Sequence, residues 1–75
     1  MKINVDYNNR KEIVKGNRWT KGGHDRLYIQ DGRTKMGFLD LNTQEWVYDK
    51  NYRCSNPNWD RAVIESVKVF AKTLT

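Results

Sequence analysis

The stretch from Arg26 to Asp49 decides the fold, and it reads RLYIQ, DGRT, KMGFLDL, NTQ and EWVYD. Three of these runs are rich in the aromatic and branched side chains that favour β-strands. The polar segments between them, 31–34 and 42–44, are typical of tight turns. The stretch therefore predicts a meander of three antiparallel strands.

A further strand is expected before this meander. The sequence GGHD at 22–25 is a strong turn signal, and the segment 17–21 before it is polar with one tryptophan. We therefore expect 17–21 to form a hairpin with 26–30, with Lys21 opposite Arg26.

The N-terminal segment shows a strand pattern followed by an ambiguous one. Apolar side chains alternate with polar ones at Ile3, Val5 and Tyr7, which predicts an edge strand. The segment 10–15 fits either one helical turn capped by Gly16 or a continuing strand. The sequence leaves both possibilities open.

The last part of the chain predicts an α-helix that ends at about Lys72. Asn56 suits the N-cap and Pro57 the first helical position, while Asp60 complements the positive end of the helix dipole. One broad arc of this helix carries the apolar residues Trp59, Val63, Ile64, Val67, Phe70, Ala71 and Leu74.

Together these elements predict a single α+β domain over residues 1–75. A chain of 75 residues buries a limited core, which one sheet face under one helix satisfies. We expect four or five antiparallel strands in a meander, with the C-terminal helix packed on one face. A small five-stranded barrel capped by the helix is the alternative.

The turns also predict which side chains share a face of the sheet. If Gln30 pairs with Lys35, the core face carries Leu27, Ile29, Met36 and Phe38, and Leu39 and Leu41 fall on the other face with Trp19 and Tyr28. A three-residue turn at 42–44 would put Trp46 and Tyr48 on the core side, and a two-residue turn would reverse them.

Charge is concentrated in one part of the chain. The net charge is +5, and the segment 10–35 holds eight basic residues against three acidic ones, so the remainder is neutral. Such asymmetry favours a polyanionic partner, because neutralising phosphates releases counterions. The same residues also fit a lysine-rich surface that only prevents association.

The predicted face that carries Trp19 and Tyr28, opposite the core face, combines cations with rings. This pattern suits single-stranded nucleic acid, because rings stack on bases and cations hold phosphates. Alternatively, Trp19 and Tyr28 form a cross-strand pair that stabilises the hairpin. We therefore expect a non-enzymatic module that binds nucleic acid or a nucleoprotein. The candidate binding residues are Arg18, Trp19, Lys21, Arg26, Tyr28, Arg33 and Lys35.

Catalytic and metal chemistry find little support in the sequence. The chain has one histidine, His24, and one cysteine, Cys54, so the usual zinc-ligand spacings are absent, and we assign no metal, cofactor or catalytic residue. The segment 16–24 resembles the glycine, aromatic and histidine segment of small messenger-RNA-cleaving toxins with a double-stranded-RNA-binding-domain-like fold. That resemblance implies a ribonuclease using His24, but Gly23 replaces the family's serine and the family's first helix is missing.

A protein partner is the rival to nucleic acid. A regulator or inhibitor of a nucleic-acid-processing complex would use the same cations against acidic grooves, or would dock through Trp46, Tyr48, Tyr52 and Trp59 if these are exposed.

No apolar run reaches the roughly 20 residues of a membrane span, and no signal peptide is expected. With a single cysteine, the cytoplasm is the expected compartment.

Overall fold

The computed structural model describes residues 1–74 and shows an α+β fold built from one open sheet and one helix. The strands follow one another in the order β1-β2-β3-β4-β5, and each pairs antiparallel with the next. They are β1 (Lys2–Tyr7), β2 (Arg10–Lys21), β3 (His24–Asp31), β4 (Thr34–Asp40) and β5 (Glu45–Tyr48), followed by helix α1 (Pro57–Ala71) and a 3-10 turn (Lys72–Leu74).

The five-stranded meander is confirmed, and the barrel alternative is wrong. Closure would require β1 to pair with β5, whereas these two strands form the opposite edges of the sheet. The strand β5 has four residues and pairs with β4 alone, so it offers little backbone for a second partner.

Within residues 1–74, no helix combines the length and apolar character needed to cross a bilayer.

The ambiguous segment 10–15 is strand, and it continues through Gly16 into the predicted strand 17–21. A two-residue turn with positive φ at Asn8 (49°) and Asn9 (59°) reverses the chain, as type I′ hairpins require. Gly16 does not cap a helix. A Cβ there would lie 2.9 Å from Ile3 Cδ1 and 3.3 Å from Leu27 Cδ1, so glycine leaves room for these two core side chains.

Helix α1 begins and ends where the sequence predicts. The Asn56 side chain accepts a hydrogen bond from the Trp59 backbone N–H at 3.3 Å, and Pro57 occupies the first turn. Its apolar arc covers one face of the sheet, which we call the inner face. The buried core consists of Ile3, Val5, Val14, Leu27, Ile29, Met36, Leu39, Leu41, Val63, Val67 and Ala71.

A β-bulge in β4 overturns part of the predicted register. Gln30 does pair with Lys35, but the register shifts next to it, so that Tyr28 lies opposite Phe38. The prediction of Phe38 in the core is therefore wrong, because the extra residue in β4 turns Phe38 to the face away from α1. Leu39 and Leu41 were expected on that other face and are instead buried in the core.

Gly37 makes the bulge possible. Its φ of +151° is one that residues with side chains rarely adopt, and a Cβ there would overlap the Val47 carbonyl oxygen. The Asp49 backbone N–H donates to the Met36 carbonyl at 2.9 Å, which ties the end of β5 to the bulge. Glycine at this position thus sets the register of the second half of the meander.

The β4–β5 connection resolves the remaining question of register. Asp40 pairs with Glu45 across a four-residue loop, and Trp46 lies opposite Leu39 on the inner face. Tyr48 follows two residues later on the same face. Trp46 and Tyr48 therefore lie on the side of the core set, but neither the three-residue nor the two-residue turn that was predicted is present, because Leu41 belongs to the loop.

Asp60 has a structural role that the sequence did not reveal. It is 2% exposed, although a first-turn acid was expected only to complement the helix dipole. Its carboxylate accepts hydrogen bonds from the hydroxyls of Tyr52 at 2.6 Å and Tyr48 at 3.3 Å. Asp60 therefore joins α1 to β5 and to the segment that follows β5.

Candidate functional site

The face of the sheet turned away from α1, here called the outer face, is organised in rows that cross the strands. Side chains alternate along a strand and paired residues of neighbouring strands point the same way, so the register defines each row. The lysine row contains Lys2, Lys15, Gln30 and Lys35. The ring row contains Asn17, Tyr28, Phe38 and Val47, and the next row contains Trp19, Arg26, Asp40 and Glu45.

Four ring side chains form a continuous cluster on this face. Trp19 meets Tyr28 edge-on with ring centroids 6.4 Å apart, and Tyr28 meets Phe38 at 5.1 Å. On its other side Trp19 stacks with His24 at 6.4 Å and an interplanar angle of 21°. Trp19 is 40% exposed and Tyr28 38%, so the predicted cross-strand pair exists and still presents ring surface to solvent.

The Arg26 side chain contacts three of the four rings of this cluster. Its guanidinium carbon lies 4.5 Å from the Phe38 ring centroid and 5.6 Å from that of Trp19. One terminal nitrogen donates to the Tyr28 hydroxyl at 3.1 Å. Because the guanidinium is stacked and hydrogen-bonded, Arg26 orders the rings and adds positive charge among them.

A cavity of about 600 Å³ opens on this face, within the range of about 300–1,000 Å³ typical of ligand sites. Rings from β2, β3 and β4 and amides from β2 and β3 line it, and Lys50, just after β5, completes the wall. The other lining residues on the outer face are Asn17, Trp19, Tyr28, Gln30, Lys35 and Phe38.

Most of the predicted binding residues come together on the outer face. Trp19, Arg26 and Tyr28 are in mutual contact there, with Lys21 and Lys35 in flanking rows. The predicted pairing of Lys21 with Arg26 is wrong, because a two-residue turn at Gly22 and Gly23 places Lys21 opposite His24. The true register of this hairpin differs from the predicted one by two residues. Because side chains alternate with a period of two, each residue still lies on the predicted face.

Arg18 is directed away from this cluster. It pairs with Leu27, a core residue, so its side chain leaves β2 on the inner side. Arg18 borders the cavity, but its guanidinium forms two hydrogen bonds with Asp25, at 3.0 and 2.8 Å. The hydrogen bond from Arg18 lowers the pKa of Asp25 below its usual value. A cation engaged in this way is poorly placed to hold a ligand on the outer face.

Arg33 lies in the two-residue turn between β3 and β4, beyond the last paired residues of that hairpin. It is exposed at the end of the sheet that carries the lysine row. Arg33 is therefore at the margin of the outer face.

Two residues of the site escaped the sequence analysis. Phe38 was assigned to the core because the bulge was not foreseen. Gly37 within β4 is compatible with a bulge but does not by itself show one. Asn17 was seen only as a polar strand residue. It lies opposite Tyr28 and lines the cavity, and within residues 1–74 its side chain makes no hydrogen bond.

The residues considered for protein docking are mostly turned inward. Tyr48 is 46% exposed, whereas Trp46, Tyr52 and Trp59 are half-buried. The Trp59 indole N–H donates to an Asp31 carboxylate oxygen at 3.1 Å, and its ring packs on Tyr7. These side chains therefore attach α1 and the segment before it to the sheet.

No family model, no curated protein and no solved structure matches this chain. The resemblance of 16–24 to messenger-RNA-cleaving toxins gains no support from the fold. Within residues 1–74 the α-helix follows the last strand, and β1 rather than a helix opens the chain. Among the same residues, no group of three His, Cys, Asp or Glu side chains is placed to hold a metal ion.

Proposed function

We propose that this protein is a non-enzymatic module that binds single-stranded nucleic acid, alone or within a nucleoprotein, through its outer face. The observation that carries the proposal is the placement of exposed, contiguous rings beside a row of lysines on one side of the sheet. The helix covers the other side, so the two faces have separate roles.

The chemistry of the face suits an unpaired strand better than a duplex. Bases in a duplex are stacked on one another, whereas an unpaired base can stack on a protein ring, which contributes about 1–3 kcal/mol per base. Trp19 and Tyr28 present such rings, and the lysines on either side can hold the phosphates. Binding of this kind depends strongly on salt and weakly on sequence.

The proposal is tested by titrating a labelled single strand of about eight nucleotides at about 50 mM salt and following its fluorescence anisotropy. We expect saturable binding that weakens about tenfold or more in Trp19→Ala and in Tyr28→Ala. Val69→Ala is the matched control, because it removes an apolar side chain that is 65% exposed on α1. A flat titration, or equal losses in all three variants, would overturn the proposal.

A protein partner is the second candidate, since arginine and aromatic side chains together also form the centres of protein interfaces. The inward orientation of Trp46, Tyr52 and Trp59 leaves the outer face as the surface for such a partner as well. The two candidates therefore share a surface and differ in ligand. Absence of oligonucleotide binding, in a folded protein, would favour the protein partner.

A ribonuclease that uses His24 is the third candidate, and it ranks lowest. His24 packs against Trp19 at the end of the outer face, and its paired neighbour across the turn is Lys21. We expect RNA to remain intact when incubated with the protein. Cleavage that disappears in His24→Ala would show an enzyme instead.

A further inference from the structure

The lysine row and the ring row lie close enough together for one nucleotide to contact both. Neighbouring strands are about 4.8 Å apart, and residues two apart along a strand are separated by about 7 Å, so the two rows run side by side across the sheet. Gln30 lies in the lysine row between Lys15 and Lys35. It is also the residue two positions after Tyr28 in β3, so it links the cations to the rings.

The amide of Gln30 makes one hydrogen bond within the protein. Its Nε2 donates to the Gly32 carbonyl at 2.9 Å, within the turn between β3 and β4. The turn carbonyl can only accept, so the nitrogen of the amide must face it and the oxygen Oε1 must face elsewhere. Gln30 lines the cavity, and within residues 1–74 its Oε1 has no hydrogen-bond partner, so this oxygen is free to accept from a ligand bound there.

We infer that the cavity is a subsite for one nucleotide whose base carries an exocyclic amino group. The base stacks against Tyr28 and Phe38 in the cavity, its amino group donates to Gln30 Oε1, and the phosphates on either side lie on Lys15 and Lys35. Cytosine, adenine and guanine carry such an amino group, whereas uracil and thymine carry none and present a carbonyl oxygen where cytosine has its amino group. Two acceptors facing each other make no hydrogen bond, so the subsite disfavours uracil and thymine.

This inference rests on the proposed function and adds to it a preference among bases. The charge of an oligonucleotide is the same for every base, so the lysines set the overall affinity while Gln30 sets the ratio between bases. Asn17, with both a donor and an acceptor in the cavity, can bond a second edge atom of either pyrimidine. It therefore adds affinity without reversing the preference.

The test compares oligocytidine with oligouridine of the same length, about eight nucleotides, because these bases differ at the amino position and at the adjacent ring nitrogen. We expect the parent protein to bind oligocytidine about fivefold more tightly, which is the worth of one net hydrogen bond. Gln30→Leu and Gln30→Ala should remove this ratio and leave the affinity for oligouridine within about twofold. Asn58→Ala, which removes an exposed amide on α1, should preserve the ratio.

The outcomes separate the inference from the proposed function. Equal affinity for both oligomers, or a preference that survives in both Gln30 variants, overturns the subsite while nucleic-acid binding stands. Failure of both oligomers to bind at about 50 mM salt overturns both. Circular dichroism of each variant establishes that the sheet is intact, so a lost ratio reports on the amide.

Discussion

The two faces of the sheet are built from the same five strands and have opposite characters. The inner face carries the buried aliphatic core, with Leu27 and Ile29 at 0% and 1% exposure, and Trp46 and Tyr48 lie at its β5 edge. The outer face carries Trp19, Tyr28 and Phe38 together with lysines, and it remains accessible. Alternation along each strand therefore places most of the aliphatic side chains in the core and the cluster of Trp19, Tyr28 and Phe38 on the opposite side of the sheet.

The largest expected effect comes from disturbing the bulge that separates the two faces in β4. Gly37→Ala should lower the free energy of unfolding by about 4 kcal/mol, because it combines backbone strain at φ +151° with overlap against the Val47 carbonyl. Urea unfolding followed by circular dichroism measures the loss.

Gly32→Ala is the matched control, since Gly32 also has a positive φ, of +60°, but a Cβ there meets nothing within 4 Å. It should cost about 1–2 kcal/mol. If the two variants are equally stable, Gly37 does not set the register, and Phe38 need not belong to the outer face.

The next prediction compares neighbours in β3 that point to opposite faces. Leu27→Ala removes a fully buried side chain and should cost about 3 kcal/mol of stability. Tyr28→Ala should cost about 1 kcal/mol, since it loses one cross-strand ring pair, while weakening oligonucleotide binding about tenfold. Urea unfolding and anisotropy titration measure the two quantities. A similar loss of stability in both variants would show that the outer face is part of the core.

The buried carboxylate of Asp60 predicts a smaller, pH-dependent effect on the inner side. Burial, and then the hydrogen bond to Asp60, raise the pKa of Tyr52 above its usual value of about 10. The neutral hydroxyl therefore stabilises the fold fully below about pH 10, and this contribution is lost as the pH rises through the folded pKa.

Tyr52→Phe isolates this contribution, because the parent and the variant differ only in the Tyr52 hydroxyl. Urea unfolding between about pH 8 and about pH 11 should show a steeper loss of stability in the parent than in the variant. Parallel curves for the two proteins would mean that the Tyr52 hydroxyl has no such role.

The smallest effect is expected for Arg18, the one candidate cation that leaves β2 on the inner side. Its guanidinium is engaged by Asp25, so Arg18→Ala should change oligonucleotide affinity by less than about twofold and stability by less than about 1 kcal/mol. Lys15→Ala, from the same strand and the outer face, should weaken binding more. A larger loss for Arg18 would place the ligand on the other side of the sheet.

The sequence predicted the elements well because their signals are local. Alternating apolar residues marked β1, turn residues separated the strands of the meander, and Asn56 with Pro57 marked the start of α1. Each of these signals is read within a few residues, and each was confirmed. The same locality explains why Leu27 and Ile29 under the helix, and Trp19 beside Tyr28, were predicted correctly.

What the sequence could not predict depends on contacts between distant residues. A glycine within a strand does not by itself show a bulge, and the bulge at Gly37 exchanged Phe38 for Leu39 and Leu41 in the core. Asp60 is buried because two tyrosines from other elements reach it. The lysine row exists because the twelve-residue β2 brings Lys15 beside both Lys2 and Gln30.

The salt dependence of oligonucleotide binding tests the central claim most directly, since it counts the phosphates that the outer face neutralises. Between about 50 mM and about 200 mM salt, the logarithm of the association constant should fall linearly with the logarithm of the salt concentration, by about 0.7 for each phosphate held. Lys15→Ala combined with Lys35→Ala should reduce that slope by about 1.4, and Lys68→Ala on α1 should leave it unchanged. A slope that is zero, or that is the same in the parent and the double variant, would contradict the account.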